Sequence, residues 1–252
     1  MKRIDQLLTD KQLTKSRSQA QSLISQGKVL IAQGNDWRPV AKPSLKVDDN
    51  VEIKLTLTEE DRYVSRGALK LAGALDHANM NLNGYTVLDV GQSTGGFTDC
   101  ALQHGAQKVV GVEVGHDQLD KRLRERRDVV CLEGLNARHL TKDDLAEHLP
   151  STGFDAIVMD VSFISQTKIL PQLPPLLKES GYLITLIKPQ FELGKDAIGK
   201  GGIVKDKRGI EALENSMKQL VSGLGFEVLS YEKSTIKGGD GNQEFVLLAQ
   251  KK

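Results

Sequence analysis

Cysteine is almost absent from this 252-residue chain: Cys100 and Cys131 are the only two. That is too few for a disulfide framework and short of a zinc site, and it points to a reducing, cytoplasmic setting. The five histidines, His77, His104, His116, His139 and His148, show no ligand spacing, so no metal is expected. Aromatic residues make up only 4%, which argues against a surface that holds nucleic acid through many stacked bases. No apolar run approaches the roughly 18 residues needed to cross a bilayer. The longest, such as Tyr182 to Ile187, have the length of a buried strand. The opening Met1-Lys2-Arg3-Ile4-Asp5 has no apolar stretch behind its basic pair, so no secretory signal is expected there. An excess of charge of one sign is missing too. The net charge of +1 neither supports nor excludes a polyanionic partner, because a basic patch can be balanced elsewhere. The remainder, 39% hydrophobic and 27% charged, is the composition of a soluble globular protein. It is long enough for one large α/β domain and a small companion.

In the first sixty residues, Ile4, Leu7 and Leu8 stand at helical spacing. Ser16 can cap a second helix, Arg17 to Gln26, whose stripe is Ala20, Leu23 and Ile24 and which Gly27 would end. Short β-like pieces follow at Val29–Ile31, Pro43–Val47 and Val51–Leu57, the last two separated by a turn at Asp48-Asp49-Asn50. Up to Lys28 the bases Lys2, Arg3, Lys11, Lys15, Arg17 and Lys28 face only Asp5 and Asp10. Such an excess suits a phosphate backbone, although a solvated helical face would look the same. The motifs Arg3-x-Asp5-x-x-Leu8, Ser16-Arg17-Ser18-Gln19-Ala20 and Gly27-Lys28-Val29, with the closing Val47 to Ile53 hairpin, resemble the RNA-binding domain of the ribosomal-protein-S-four type. The resemblance implies RNA contacts at Arg3, Lys15, Arg17, Gln19 and Lys28. The acidic, non-periodic Thr58-Glu59-Glu60-Asp61 reads as a domain boundary. The expected division is a small α+β domain over 1–58, a linker over 59–64 and a larger domain over 65–252.

From Arg62 onward, β-like and helical runs alternate, which predicts a mostly parallel sheet covered by helices. The strands read as Thr86–Val90, Lys108–Val112, Val129–Leu132, Phe154–Met159, Tyr182–Ile187, Phe226–Glu232 and Glu244–Ala249. The clearest helices read as Ser65–His77, Phe97–His104, Gln118–Arg126 and Arg208–Gly223. A Gly-rich turn, not a helix, joins the last two strands, so the final strand should run antiparallel. Seven strands ending this way are the layout of the methyltransferase variant of the nucleotide-binding fold. The first strand enters Gly91-Gln92-Ser93-Thr94-Gly95-Gly96-Phe97, which is neither a G-x-G-x-x-G loop nor a P-loop. Gly91 permits a sharp turn, and Gly95 and Gly96 a close approach to a ligand. A loop without lysine suits S-adenosylmethionine, which has no phosphate, with Asp89 facing the cofactor's cationic amino-acid end. Glu113, at the tip of the next strand, is placed to accept the ribose hydroxyls of an adenosine. Asn136 follows the third strand, where adenine-edge contacts lie.

Four charged residues remain. Asp160 and Lys188 end central strands, Lys70 sits inside a helix among Ala68, Leu69, Leu71 and Ala72, and Glu244 opens the last strand. Singly, each has an ordinary explanation as a strand-end or surface charge. Together with Tyr63–Leu71, Leu88–Asp99, Met159–Ser165, Ile187–Glu192, Gly199–Gly202 and Ile236–Phe245 they resemble the TlyA (haemolysin A-like) family of ribosomal RNA methyltransferases, related to the FtsJ-type 2′-O-methyltransferases. The resemblance implies a seven-stranded Rossmann-like fold using S-adenosylmethionine, a Lys70–Asp160–Lys188–Glu244 tetrad around a target ribose, and cofactor contacts from Asp89, Gly91, Ser93, Thr94, Gly95, Gly96, Phe97, Glu113 and Asn136. Arg66 and Lys200 join the expected RNA contacts. Lys200 lies in a Gly-rich basic segment, Leu193 to Arg208, that reads as a mobile loop beside the site. The implied substrate is a cytidine ribose in ribosomal RNA, free or in a subunit. The large subunit is the implied target, with the small one left open. Two departures stand out: Gln92, where the family commonly has a small residue, and Glu113, where it commonly has Asp. The alternatives are a non-catalytic RNA-binding assembly factor, which need not retain the tetrad, and a membrane-active haemolysin, which the lack of any membrane segment opposes.

Overall fold

A computed structural model of the chain describes residues 1–14, 16–34 and 36–252. They form two compact units, Met1–Arg62 and Tyr63–Lys252.

In the first unit β1 (Lys2–Arg3) leads directly into α1 (Ile4–Asp10), and α2 (Arg17–Ser25) follows. The Ser16 hydroxyl caps α2 by accepting the Gln19 amide at 3.2 Å. Gly27, at φ +70, closes it, with Lys28 N donating to Leu23 O and Gly27 N to Ile24 O. The stripes Ile4, Leu7, Leu8 and Ala20, Leu23, Ile24 meet in one core that Val29 and Ile31 close. β2 (Val29–Gln33) is the middle strand of an antiparallel sheet, flanked by β3 (Asp36–Pro39) and β5 (Ile53–Leu55), while β4 (Lys46–Val47) pairs with β1. β3 is absent from the sequence reading because all four of its residues are exposed and show no alternation. The strand expected from Pro43 shrinks to Lys46–Val47. Within this unit Asp5 is buried and accepts Arg3 Nε and Nη2 at 3.0 and 2.9 Å, Arg17 Nη2 at 3.0 Å and Gln21 Nε2 at 3.0 Å. The Arg3 guanidinium, ahead of the other donors, holds this carboxyl far below the usual range. The stretch expected to begin a linker is folded: Glu59–Arg62 is a single 3-10 turn, and Asp61 takes Lys28 Nζ on both oxygens at 2.7 and 2.8 Å.

The second unit is built on a seven-stranded sheet. In chain order its elements are α3 (Ala68–His77), β6 (Thr86–Val90), α4 (Gly96–Gln103), β7 (Lys108–Glu113), α5 (Lys121–Arg124), β8 (Val129–Glu133), α6 (Lys142–Leu145), β9 (Phe154–Met159), β10 (Leu177–Ile187), α7 (Pro189–Glu192), α8 (Lys207–Gly223), β11 (Phe226–Lys233) and β12 (Phe245–Lys251). The strand order is β11-β12-β10-β9-β6-β7-β8; β12 is antiparallel to both neighbours and the rest of the ladder is parallel. The antiparallel ending expected from the Gly-rich turn is therefore present. Side chains alternate between faces. Val87, Val109 and Val158 pack with Leu71, Leu75 and Cys100 of α3 and α4, whereas Leu88, Ile157 and Met159 pack with Leu213, Met217 and Val221 of α8. The switch in strand order lies between β6 and β9, and their carboxyl ends flank the crevice where such sheets hold ligands. The helix expected over Gln118–Arg126 is only one turn, because Asp120 caps it by accepting the Arg122 amide at 2.9 Å. Among the described residues no helix is long and apolar enough to cross a membrane.

Candidate active site

The carboxyl ends of β6, β9 and β10 surround a cavity of about 150 Å³ lined by Gly91, Gln92, Ser93, Thr94, Gly96, Phe97, Asp160 and Lys188, together with Ser65, Gly67 and Ser162. Gly91, at φ +84, turns the chain out of β6 so tightly that a side chain there would come within 2.6 Å of the Asp160 carbonyl. Gly95 serves a different purpose from the one expected. At φ +92 it faces Leu119 and Leu123, and it seats α5 under the loop instead of opening onto the cavity. Gly96 makes room for Ser65, whose hydroxyl would lie 2.4 Å from any Cβ added there. Val64 N donates to Asp99 Oδ2 at 2.8 Å, so the segment before α3 is held against the start of α4 and carries Ser65 and Gly67 to the cavity.

Four charges converge beside this cavity in two pairs. Lys188 Nζ lies 2.5 Å from Asp160 Oδ1 and donates to Ser162 Oγ at 2.9 Å. Lys70 Nζ lies 2.6 Å from Glu244 Oε2. Both lysines and Glu244 are buried. Burial pushes the Glu244 carboxyl up, opposed by the hydrogen bond and charge of Lys70 and then by the charge of Lys188. Asp160 supplies the counter-charge of the buried Lys188 ammonium. Glu192 braces the two strand exits by accepting Ser165 Oγ at 2.7 Å and Gln166 N at 2.9 Å. The loop carrying Asp160 is thereby held to the turn carrying Lys188.

The cofactor residues divide between cavity wall and support. Glu113 is buried at the tip of β7 and accepts Ser93 N at 2.9 Å and Gly115 N at 2.8 Å. It fixes the glycine loop and keeps lone pairs free for hydroxyl donors. Asp89 does not reach the cavity wall. It shares the face of Val87, so it points under α4, where Thr98 Oγ1 donates to it at 2.6 Å, and its Oδ1 has no partner. Burial lifts its carboxyl to about 7, against the Thr98 hydrogen bond and with the help of the Asp160 and Glu113 charges. Asn136 is exposed and caps a 3-10 turn through the Arg138 amide. Gln92 borders the cavity but is itself buried: its side chain lies over Gly111 and donates to Thr98 Oγ1 at 3.0 Å. The glycine loop carries no lysine, and Asp160 is the one carboxylate of the cavity lining, a set of groups that fits a cationic adenosine cofactor and not a phosphorylated one.

Of the expected RNA contacts, Arg66 and Lys200 are exposed, Gln19 is half-buried, and Arg3 and Arg17 turn guanidinium groups to Asp5. Lys28 is committed to Asp61, and Lys15 lies outside the described residues. The segment expected as a mobile loop contains a small hairpin. Ile198 bridges Val204, Gly199 N donates to Ile203 O at 2.8 Å, and Lys200 stands on a turn closed by Gly201 and Gly202 at φ +77 and +79. Asn242, buried, anchors it: Oδ1 accepts Val204 N at 2.9 Å and Nδ2 donates to Gly202 O at 2.9 Å. Sequence reasoning missed Asn242, Ser65, Ser162 and Phe163. Phe163 follows the Asp160 loop at φ +63, is 90% exposed, and lies 5.1 Å from the Phe191 ring. Left-handed backbone is costly for a bulky residue, which makes this exposed ring a candidate for contact with a ligand. Its place in Asp160-Val161-Ser162-Phe163 was the available signal.

A seven-stranded sheet with this order and a glycine-lined crevice at its switch point defines a methyltransferase. The profile of FtsJ-like methyltransferases matches residues 63–251, and that of the S4 domain residues 2–53. The chain belongs to the FtsJ-like methyltransferase family, with an S4 domain at its N-terminal end. The 16S/23S rRNA (cytidine-2′-O)-methyltransferase TlyA of Mycobacterium tuberculosis is 38% identical over 245 residues, covering 97% of this chain and 88% of that protein. Hemolysin A of Brachyspira hyodysenteriae is 38% identical over 245 residues, covering 97% of this chain and 98% of that one. Among solved structures, a hemolysin-like protein of Streptococcus thermophilus matches with a TM-score of 0.73 at 37% identity, covering 99% of this chain and 88% of that one. The resemblance read from the sequence motifs is borne out.

Proposed function

We propose that this protein transfers the methyl group of S-adenosylmethionine to the 2′-hydroxyl of a cytidine ribose in ribosomal RNA, with the large subunit as its main target. The observation that carries the reading is a pair of neighbouring lysine–carboxylate contacts: Lys188 with Asp160 in the wall of the glycine-lined cleft, and Lys70 with Glu244, whose carboxyl feels the charges of Lys188 and Asp160. The relatives named for ribose methylation of ribosomal RNA support it. The cofactor would lie along Gly91–Phe97, its adenosine end toward Glu113, and would supply an electrophilic methyl group.

The protein's own share is alignment, charge placement and proton handling. Holding the attacking oxygen in line accounts for much of the acceleration in a displacement of this kind. A neutral sugar hydroxyl is a weak nucleophile and gains from a group that takes or shares its proton. Lys188 is the group to do this, or to stabilise the developing alkoxide, with Asp160 and Ser162 fixing its nitrogen. Lys70, steadied by Glu244, would steer the ribose and its adjacent phosphate. Phe163, exposed beside this loop, offers an aromatic face to the base of the target nucleotide. Arg66, Lys200 and the first unit, with Arg3, Arg17 and Gln19, would select the RNA.

The test is methyl transfer from labelled S-adenosylmethionine to ribosomal subunits and to free ribosomal RNA, with modified positions mapped by resistance to alkaline cleavage. Label in a base, or none in RNA, would overturn the assignment.

A further inference from the structure

Trp37 is the only tryptophan in the chain and is 42% exposed on the edge strand β3. A lone surface aromatic needs no explanation, but this one lines a groove of about 380 Å³ with Lys11, Leu13, Asn50, Val51, Glu52 and Ile53. Lys54 Nζ stands 5.9 Å from the centroid of its ring. Leu13, also exposed, belongs with Lys11 to the turn before α2, where Gln12 is held at φ +58. The groove therefore joins the turn that introduces α2 to the outer strand of the small sheet.

The chemistry of this groove is that of a nucleotide site. A flat, half-exposed indole can stack on any base without reading its sequence. Lys11 lines the groove and Lys54 holds its ammonium near the indole, two cations of the kind a phosphate requires. Asn50 supplies a side-chain amide with both donors and an acceptor for a base edge. Glu52 is the one carboxylate among the lining residues. We propose that this groove binds one unpaired nucleotide of the RNA, its base on Trp37 and its phosphate against Lys11 and Lys54. The proposal rests on the reading of the protein as an RNA methyltransferase and adds a contact borne by the small unit. A single stack is compatible with a chain that is only 4% aromatic.

Because Trp37 is the only indole, the tryptophan emission of the intact protein, excited selectively over its tyrosines, reports on this groove alone. Titration with a short single-stranded cytidine-rich RNA should quench it, and an oligomer of the same length with abasic ribose-phosphate units should not. Trp37→Ala should weaken binding of that RNA, followed by the anisotropy of a label on the oligonucleotide, about tenfold. Trp37→Phe should restore most of it, since a single stacked base is sensitive to removal of its platform and tolerant of a second ring. Equal binding by wild type and Trp37→Ala, or equal quenching by the abasic oligomer, would overturn the proposal. Quenching by intact ribosomal subunits but by no protein-free RNA would assign the groove to a protein partner and overturn it too. Methyl transfer separates the two levels: intact transfer without quenching removes only the Trp37 site, whereas absent transfer to any RNA removes the reading beneath it.

Discussion

Gln92 occupies the space that a side chain on Gly111 would need: a Cβ at position 111 would stand 2.0 Å from Gln92 Cδ. Gly111 lies on β7 opposite Asp89, and Gln92 lies in the loop just beyond the end of β6 at Val90, so its side chain folds back over Gly111. A residue larger than the family commonly has is accommodated because its neighbour has no side chain. Gly111→Ala should therefore push Gln92 off Thr98 and cost roughly 1–3 kcal/mol of stability by overpacking. Gln92→Ala introduced with it should recover much of that loss. A double-mutant cycle by denaturant unfolding checks the coupling, and additive effects would contradict it.

Lys188→Ala should lower kcat by at least about 100-fold, the low end for a positioned proton-transfer group. S-adenosylmethionine binding, measured by calorimetry, should stay within a few-fold of wild type, because the Lys188 ammonium is engaged by Asp160 and Ser162 and the proposed cofactor contacts fall on the glycine loop. Full activity in this variant would remove Lys188 from the mechanism.

Asp89 gives stability a pH dependence. Its carboxyl is raised from the ordinary range to about 7, chiefly by burial. Between about pH 4 and 7 the folded protein then binds more protons at this group than the unfolded chain does, so stability falls as pH rises through that window. Asp89→Asn should flatten the decline while keeping an acceptor for Thr98. Urea midpoints at several pH values read the difference.

Asn242→Ala should release the Lys200 hairpin. The lost bonds reach Val204 N and Gly202 O, and buried groups left unsatisfied cost about 1–3 kcal/mol. Hydrogen exchange should accelerate at the Val204 amide, and the KM for RNA should rise several-fold with cofactor affinity unchanged. An unchanged KM would show that the hairpin does not meet the substrate.

Much of this architecture is written in local pattern. β6 and β9 begin and end where their apolar runs do, because fully buried parallel strands carry continuous hydrophobic sequence. Ser16 and Gly27 bound α2 through chemistry that acts within a few residues. β3 was invisible because an exposed edge strand has no reason to alternate. The short α5 was overread because Gln118, counted as helical, turns instead to Ser93 Oγ at 3.2 Å. The tetrad was legible only as a set: Lys70 and Glu244 are 174 residues apart, and no local rule predicts a 2.6 Å contact between them. Asp89 could have been placed correctly, since strand alternation sets it on the face of Val87 and hence under a helix. Gln92 and Asn242 could not, because their partners lie across a strand register and a loop that sequence alone does not align.

The pairing of Lys188 with Asp160 and of Lys70 with Glu244 has a consequence for ionic strength. Two ammonium and two carboxylate groups cancel, so the reacting centre offers little net attraction to a polyanion. Attraction must then come from exposed bases such as Arg66 and Lys200, whose fields salt screens over about 8–10 Å. Added salt should weaken capture of RNA steeply while leaving turnover of RNA already bound almost untouched. The site thus separates recruitment, which depends on the surrounding medium, from chemistry sheltered from it.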